Sequence, residues 1–346
     1  MAFVKPITNR LRRLAGHQPP ALTDLAIESW EIAPAQTAYL PPAIFLPDQI
    51  DRIRATEFAD LPATLAACHG DCDVALTATR GFRLRDVDLV DGVLYHQHAE
   101  YHLRARKHRN PLRPRPREAL SGAFYESWNG NRWFGMWLLD DCLTHTLAAE
   151  TGMPVATLGP RPGNIPRFES LLGMTPRRIA DAHFDELILF DDLAPNPHKA
   201  ARGEAMRQRL LAGQTPAPNP GVFLLRGTSG SRRVLRNEME IAARLERDRG
   251  FRVLDPMTTP LDDLLQACGG ARIIAGVEGS HMCNGVAVMP PGSALLTIQP
   301  PDRMTVPLKI FTDRQGLRFA FIVSTGGNGE YEADWGEIAR TLDLIP

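Results

Sequence analysis

The feature that most constrains the fold of this chain is a regular alternation of strand and helix signals between residues 222 and 298. Short apolar runs typical of strands alternate with segments whose apolar residues recur at helical spacing. The predicted strands are 222–225, 252–254, 272–275 and 294–298, and the predicted helices begin near Asn237, Thr259 and Ser280. Because parallel neighbours in a sheet need crossover helices between them, this order predicts an α/β fold with a doubly wound parallel sheet.

The middle of the chain repeats this alternation, which predicts a second α/β unit. Its predicted elements are a helix over 133–150, a strand at 154–158, a helix near 168–172 and a strand at 186–190. A chain of 346 residues is long enough for about two domains, and residues 195–221 are polar and proline-rich, as interdomain linkers are. We therefore expect a first domain over 1–214 with an irregular N-terminal region, a second over 215–330, and a C-terminal helix over 331–346 that packs back on the first domain.

Charge and cysteine content argue against several classes of protein. Lys and Arg number 39 against 40 Asp and Glu, so a formal net charge of -1 provides no basic field for nucleic acid. Five scattered cysteines do not form a disulfide framework, and no apolar run suits a signal sequence or a membrane span. We expect a cytoplasmic protein that does not bind nucleic acid. Residues 7–14 fit either a solvated basic helix or one that touches a membrane surface.

The segment 275–284 is the strongest chemical signal in the sequence. Its pattern is typical of a strand, a small-residue turn with Gly276 and Gly279, and the start of a helix. Such a turn points free backbone N–H groups at a bound anion, and its glycines permit a close approach. The segment therefore predicts a phosphate-bearing ligand; the alternative is an ordinary turn between a strand and a helix.

Arginines follow the first predicted strand of this alternation. Arg226 comes directly after it, and Arg232 and Arg233 follow a Gly/Ser turn. The carboxyl ends of parallel strands meet at one edge of a sheet, where open α/β folds bind their ligands. These arginines therefore favour an anion at that edge, although a solvated basic loop is the alternative. The P-loop pattern is absent, and no G-x-G-x-x-G joins a first strand to its helix, which argues against an NTPase or a dehydrogenase.

Residues 222–300 resemble glycosyltransferase family 61, which includes the bacterial capsular polysaccharide biosynthesis proteins. The residues that carry the resemblance are Leu225, Arg226, Arg232, Arg233, Asn237, Glu238, Gly250, Phe251, 271–276, Gly279, Asn284 and 290–293. A weaker similarity lies at 131–140, where the family has an aromatic, Gly, His, aromatic, Asp pattern.

The resemblance implies a GT-B fold, in which two Rossmann-like domains face a cleft. It also implies transfer of a hexosyl or pentosyl group from a nucleotide sugar to a polysaccharide or glycan acceptor, with inversion and without a required metal. We expect a UDP-linked donor. The donor is a substrate, so no resident cofactor is expected.

The sequence departs from the family pattern at the residues closest to the chemistry. In the family's Gly-x-His-Gly-Ala element, Glu278 replaces the His and Ser280 replaces the Ala, and Met136 replaces the His of the upstream element. Two hypotheses remain open. The chain is either a glycosyltransferase with altered chemistry at Glu278 or a catalytically weak subunit that binds sugar nucleotides.

Inverting transfer needs a general base at the acceptor hydroxyl and cationic or N–H groups at the departing diphosphate. We expect Asp140 or Glu278 to be catalytic, with Asp140 as the first candidate for the base and Asp141 and Glu278 behind it; a solvated helix surface is the alternative for Asp140 and Asp141. The expected donor-binding residues are Arg226, Arg232, Asn237, Glu238, Gly279, Ser280, His281 and Asn284.

Two further groups of residues have weaker signals. The aromatic residues Trp133, Phe134 and Trp137 fit a hydrophobic core better than a sugar platform. Metal ligands are offered by Cys68, Cys72, His96, His98, His102 and His108. Because no second cysteine pair has the spacing of a zinc ribbon, we assign no metal site, and a metal-dependent hydrolase is the third hypothesis.

Overall fold

The computed structural model describes residues 2–107, 113–227 and 233–346. Its contacts divide the chain into one unit of Met1–Gln36 with Thr77–Ala194 and a second of Thr37–Leu76 with Pro195–Pro346. These bounds differ from the three segments expected from the sequence, because residues 37–76 and 195–214 pack with the C-terminal sheet. The second unit is therefore discontinuous along the chain.

The strands, in chain order, are β1 (Ala2–Phe3), β2 (Glu28–Ala33), β3 (Gln36–Leu40), β4 (Cys72–Leu76), β5 (Thr79–Val90), β6 (Val93–His96), β7 (Ala99–His102), β8 (Arg113–Pro114), β9 (Ala119–Phe124), β10 (Pro154–Thr157), β11 (Arg177–Ile179), β12 (Ala182–Asp191), β13 (Asn219–Leu224), β14 (Val234–Leu235), β15 (Arg252–Leu254), β16 (Ala271–Val277), β17 (Ala294–Gln299), β18 (Arg318–Val323), β19 (Thr325–Gly327) and β20 (Glu330–Glu332).

The α-helices are α1 (Lys5–Leu14), α2 (Leu61–His69), α3 (Phe134–Met136), α4 (Cys142–Thr151), α5 (Ile165–Leu172), α6 (Pro197–Leu210), α7 (Glu238–Arg249), α8 (Leu261–Gly269), α9 (Cys283–Val286), α10 (Pro307–Arg314) and α11 (Trp335–Leu344). A π-helical turn, Trp137–Asp141, joins α3 to α4, and 3₁₀ turns cover Leu22–Leu25, Ile50–Arg52 and Ser280–Met282.

The first unit is built on a mixed sheet with the strand order β11-β10-β9-β12-β5-β6-β7, and β2 also pairs with β5. The strands from β11 to β12 are parallel, whereas β5, β6 and β7 pair in antiparallel fashion. Its core includes Leu84, Phe124, Phe184 and Leu187, all of which are buried. The predicted second α/β unit is thus present.

Helix α1 rests on the first unit with its polar side inward. Lys5 forms an ion pair with Asp88 at 2.7 Å, and Asn9 and Arg13 both donate to the carboxylate of Glu100. Its exposed apolar side chains are Val4, next to the helix, and Leu11 and Leu14 within it. Across the described ranges, no helix combines the length and the hydropathy needed to cross a bilayer.

The second unit contains the predicted parallel sheet, with the strand order β15-β13-β16-β17-β18. The strand and helix predictions for residues 222–298 are confirmed with small shifts. Helix α7 ends at Gly250, whose φ of 68° suits a residue without a side chain. Helix α8 starts one residue later than expected, because Pro260 is its N-cap and leaves Leu261 as the first helical residue.

One sequence prediction about the second unit is wrong. The supposed linker contains α6, which begins where the Asn196 side chain accepts from the Lys199 N–H at 2.9 Å. The C-terminal helix, expected from the sequence to pack on the first domain, packs as α11 on the sheet of the second unit, where Ile338 and Leu342 join the core that holds Leu245 and Phe251.

Residues 37–76 extend the second unit at its β18 edge. The N–H of Ile44 donates to the Phe319 carbonyl at 2.8 Å, and the Phe321 N–H donates to the Ile44 carbonyl at 3.0 Å. The ring of Phe45 stacks on that of Phe321 with centroids 4.9 Å apart. This early segment thus completes a sheet whose strands come from the last third of the chain.

Candidate functional site

The parallel sheet of the second unit has a topological switch point between β13 and β16. From β13 the chain goes to β15 on one side, and from β16 it goes to β17 on the other. Connections that leave in opposite directions open a crevice at the carboxyl ends of the two strands, where open α/β sheets bind ligands. Arg226 lies two residues after β13 and Glu278 follows β16 directly, so both border this crevice.

Three arginines surround Glu278, and we call Arg226, Arg233 and Arg303 the arginine cluster. Arg233 donates through Nη1 to Oε2 of Glu278, and Nη1 of Arg303 lies 3.8 Å from the same oxygen. Arg226 donates through Nη1 to the backbone carbonyl of Glu278 at 3.3 Å. Arg226, Arg233 and Glu278 are all less than a tenth exposed. The crevice therefore holds three guanidinium groups around one buried carboxylate.

Two of the three arginines of this cluster are buried, and burial affects their charge. Burial and the nearby Arg303 lower the pKa of Arg226, although Glu238 opposes that shift. Burial lowers the pKa of Arg233 as well, and the charges of Arg226 and Arg303 add to the effect. A lowered pKa for a guanidinium means that its surroundings compensate its charge incompletely. The site is therefore suited to an anion that adds negative charge.

Glu238, the first residue of α7, fixes the backbone after β13. Its Oε1 accepts from the N–H of Arg226 at 2.8 Å, and its Oε2 accepts from the N–H of Gly227 at 2.9 Å. An acidic residue in the first turn of a helix is also favoured by the helix dipole. Both carboxylate oxygens are engaged by the protein, so Glu238 positions Arg226 rather than offering itself to a ligand.

Strand β20, which follows the parallel sheet in the chain, contacts the neighbours of Arg233 and Arg303. Arg233 precedes β14, which pairs with β20 in parallel register. In β20, Tyr331 donates its hydroxyl to Asp302 at 2.7 Å, beside Arg303. Sequence reasoning missed Arg303 and Tyr331. The available signal for Arg303 was its place shortly after β17, at the same sheet edge as Arg226.

His281 and Asn284 lie in the turn that follows Gly279. Both ring nitrogens of His281 are buried, and burial together with Arg226 and Arg233 lowers the pKa of this ring to about 3, although a hydrogen bond with the backbone of Leu224 opposes the shift. His281 is therefore neutral at physiological pH. Asn284 donates to the His281 carbonyl at 2.8 Å, while its buried Oδ1 has no hydrogen-bond partner among the described residues. A Cβ on Gly279 would collide with the guanidinium of Arg226, so only glycine permits this approach.

The other predicted donor-binding residues have different surroundings. The Asn237 side chain donates to the Ala333 carbonyl at 2.8 Å and accepts from the Ala333 N–H at 3.2 Å, so both ends of its amide bind backbone. Ser280 is partly exposed and opens a 3₁₀ turn that α9 continues for four residues. Arg232 lies outside the described residues. The structure thus brings together Arg226, Gly279, His281 and Asn284 with Glu278.

Asp140, the predicted base, lies in the π-helical turn of the first unit and is partly exposed. Its neighbour Asp141 is buried and accepts from the Ser127 N–H at 3.1 Å and the Ser127 hydroxyl at 2.8 Å. Burial raises the pKa of Asp141 well above its usual range, and Glu126 and Asp140 add to this shift. The two adjacent aspartates therefore differ in chemistry: Asp141 is a structural group, and Asp140 is the one that a solute can reach.

The cysteines and histidines that could offer metal ligands lie in several elements. Cys68 is buried in α2 and Cys72 is exposed in β4. His108 lies outside the described residues. Within residues 2–107, 113–227 and 233–346, no group of three or more His, Cys, Asp or Glu side chains is arranged to hold a metal ion.

The family model described as Glycosyltransferase 61 matches residues 36–296 of the chain. No curated protein sequence matches it. The matched range contains Asp140, Arg226, Arg233 and Glu278, and it ends before Arg303. The third arginine of the cluster therefore comes from the part of the chain that follows the match.

Proposed function

The chain belongs to glycosyltransferase family 61, and we propose that it moves a hexosyl or pentosyl group from a UDP-linked sugar to a polysaccharide or other glycan. In this proposal the transfer inverts the anomeric centre, needs no metal, and uses the two units in a GT-B arrangement. The protein works in the cytoplasm in the biosynthesis of a capsular type of polysaccharide.

The observation that carries this proposal is the arginine cluster at the switch point of the sheet. A guanidinium group presents paired N–H donors that match the oxygens of a phosphate, and it stays charged at all physiological pH values. Arg226 and Arg233 are buried, and the only buried carboxylate among the described residues that pairs with the cluster is that of Glu278, whereas Glu57, which lies 3.5 Å from Arg303, is exposed. We assign the diphosphate of the donor to this cluster, where the guanidinium groups stabilise the charge of the leaving group.

Two polar groups next to the cluster suit the rest of the donor. The buried Asn284 Oδ1 can accept and has no partner in the part of the chain that the structure describes, and the neutral His281 ring beside it can donate or accept. Unsatisfied buried polar atoms are costly and are rare in native proteins. We propose that the sugar or ribose hydroxyl groups of the donor satisfy them.

We propose Asp140 as the general base. Its carboxylate takes the proton from the acceptor hydroxyl while that oxygen bonds to the anomeric carbon. The bond from this carbon to the diphosphate oxygen breaks on the opposite face, and its electron pair leaves with the diphosphate. Glu278 is the weaker candidate, because its carboxylate is already paired with Arg233, and ion pairing makes a carboxylate less basic.

A second candidate function is a subunit that binds sugar nucleotides without turnover. The observation that favours it is that Glu278 occupies the position of a family histidine and is tied up by Arg233. Nucleotide release with a panel of donor sugars and glycan acceptors, combined with calorimetry, separates the two. Turnover supports the transferase. Tight binding without release against any acceptor supports the binding subunit, and no binding of any donor overturns both.

We also propose that α1 brings the protein to an anionic membrane surface. The side of the helix that faces away from the first unit carries the exposed Leu11 and Leu14, and Arg10 and Arg12 are exposed beside them. The helix contains no acidic residue. Apolar side chains flanked by basic ones are the pattern by which short helices lie on membranes.

A further inference from the structure

The first unit has a cavity of its own, of about 160 Å³. It forms where β9 and β10 end. Glu126 comes two residues after β9, Thr157 is the last residue of β10, and the following loop carries Arg161. Arg178 of β11 and Trp133, just before α3, complete the wall. The cavity is therefore built from the ends of neighbouring strands, as ligand sites in α/β folds commonly are.

The wall of this cavity carries more cationic than anionic side chains. Its four arginines and two glutamates are Arg104, Arg132, Arg161, Arg178, Glu126 and Glu169. Four positive charges against two negative ones leave a surplus of two. The wall is thus selective for an anion by charge alone.

Both glutamates are occupied by the protein. The buried Glu169 accepts from Arg161 through one oxygen and from Arg178 through the other. Oε2 of Glu126 accepts from the Thr157 N–H at 2.8 Å and from the Thr157 hydroxyl at 2.7 Å. A carboxylate that is already engaged is a poor acceptor for a ligand. The cavity therefore offers donors rather than acceptors.

The arginines keep donors to spare. Each guanidinium has five N–H donors, and Arg161 and Arg178 each use one on Glu169. Arg104 donates through Nε to the Thr157 hydroxyl, and its Nη2 lies 3.4 Å from Oε1 of Glu126. Burial lowers the pKa of Arg161, and the charge of Arg178 adds to the shift, as expected for guanidinium groups that share one carboxylate.

Aromatic rings form the apolar part of the wall. Trp137 is buried and packs edge-on against Phe168, whereas Trp133 and Phe134 are half-buried at the cavity. All three aromatic residues expected in the core therefore line the cavity, and Trp133 and Phe134 are the more exposed ones. The flat face of an aromatic ring is a good partner for the C–H face of a sugar ring, because both are apolar and rigid.

We propose that this cavity binds one carboxylate-bearing sugar ring, a hexuronate unit of the glycan acceptor. The carboxylate lies against Arg161 and Arg178, and the ring packs on Trp133 or Phe134. Pockets for drug-sized ligands have volumes of roughly 300–1,000 Å³, so this smaller cavity suits a single ring. The assignment of the hexuronate to the glycan acceptor rests on the proposed function. The preference of the cavity for an acidic sugar is independent of that function.

The test is a titration of the full-length protein with methyl glucuronide and with methyl glucoside, followed by NMR or calorimetry. We expect the glucuronide to bind about tenfold or more tightly than the glucoside, the scale of a hydrogen bond to a charged group. Equal binding of the two glycosides, or no binding of either, overturns the proposal.

Two single variants locate the binding. Arg161→Ala and Arg178→Ala each leave Glu169 paired with the other arginine, so both proteins should fold. Each is expected to lose about tenfold in glucuronide affinity. Arg177→Ala is the matched control, because Arg177 is an exposed neighbour in β11 that does not line the cavity. Unchanged glucuronide affinity in both cavity variants overturns the proposal.

A parallel titration with UDP separates this proposal from the proposed function. The glucuronide should bind equally well to Arg226→Ala, which lies in the other unit. Glucuronide binding without UDP binding upholds the cavity and refutes the donor site. UDP binding without glucuronide binding refutes the cavity alone.

Discussion

The carboxylate of Glu278 is paired with the guanidinium of Arg233 at a point where both side chains are less than a tenth exposed. The pair places an internal anion inside the arginine cluster. A diphosphate that binds there must compete with Glu278 for Arg233. At the position of the family histidine, this chain therefore has a carboxylate that competes with the ligand for a guanidinium group.

Replacing Glu278 tests this competition directly. Glu278→Gln removes the carboxylate that pairs with Arg233 and lies 3.8 Å from Arg303, and breaking a buried ion pair in this way costs about 3–5 kcal/mol of unfolding free energy. We expect urea denaturation to show that loss. We expect UDP to bind more tightly, because its competitor is gone. Glu240→Gln, at an exposed residue, is the control. Weaker UDP binding by Glu278→Gln would mean that the Glu278 carboxylate helps to hold the donor.

Arg226→Ala removes a donor from the cluster without touching Glu238. We expect the affinity for UDP or a UDP-sugar to fall by about 1.5–3 kcal/mol, the value for a hydrogen bond to a charged group. Arg236→Ala is the control, because Arg236 is an exposed residue that pairs with the exposed Glu332. Calorimetry measures the affinity of both variants for UDP. If Arg226→Ala binds UDP as tightly as the unchanged protein, Arg226 is not part of the donor site.

Asp140→Asn tests the general base. Loss of a positioned base typically lowers kcat by about 10²–10⁴-fold, and the amide keeps the size of the side chain. We expect kcat to fall in that range while the dissociation constant of the donor stays the same. The exposed Asp185→Asn in the same unit should leave both values unchanged. If Asp140→Asn keeps a normal kcat, the general base is another group.

The titration of His281 predicts how stability depends on pH. In the folded protein its pKa is about 3, and the ordinary value is 6.5. Between these values the unfolded chain binds a proton that the native chain does not, so stability is complete above pH 6.5 and falls as the pH drops towards 3. His281→Gln should flatten this part of the curve of unfolding free energy against pH. An unchanged slope means that other groups cause the acid sensitivity.

The proposed membrane contact predicts a difference between two faces of α1. Leu11→Glu places a charge on the exposed apolar side, and Thr8→Glu adds the same charge at another exposed position of the helix. We expect Leu11→Glu to reduce sedimentation with vesicles that contain anionic lipid by several-fold, and Thr8→Glu to reduce it less. If both variants lose the same amount of vesicle binding, the added negative charge alone explains the loss, and the apolar side of α1 does not insert into the membrane.

The sheet of the second unit could be predicted because each of its signals is local. Gly250 ends α7 and the apolar run at 272–275 marks β16, so no distant contact is needed to recognise either element. Helix α6 was missed although Asn196 and Pro197 are a good N-cap and first residue, because the prolines on both sides suggested a linker.

The arginine cluster could be predicted only in part. Arg226 and Glu278 were found because they follow strands of the predicted sheet, whose ends must share an edge. Arg303 was missed because its contact with Glu278 depends on how the chain turns after β17, and Tyr331 because it reaches Asp302 from a small separate sheet. Such contacts between distant residues leave no periodic trace in the sequence.

The backbone bonding of Ile44 to Phe319 and Phe321 has a consequence for biosynthesis. A ribosome releases residues 37–76 long before the strand that they join, and residues 77–194 of the first unit emerge in between. The strands β3 and β4 of that segment pair with each other, but Ile44 has to wait for these backbone partners until β18 has left the exit tunnel. Nascent chains stalled shortly before residue 318 should therefore expose residues 37–76 to proteases, and protection should come only with the final stretch of translation.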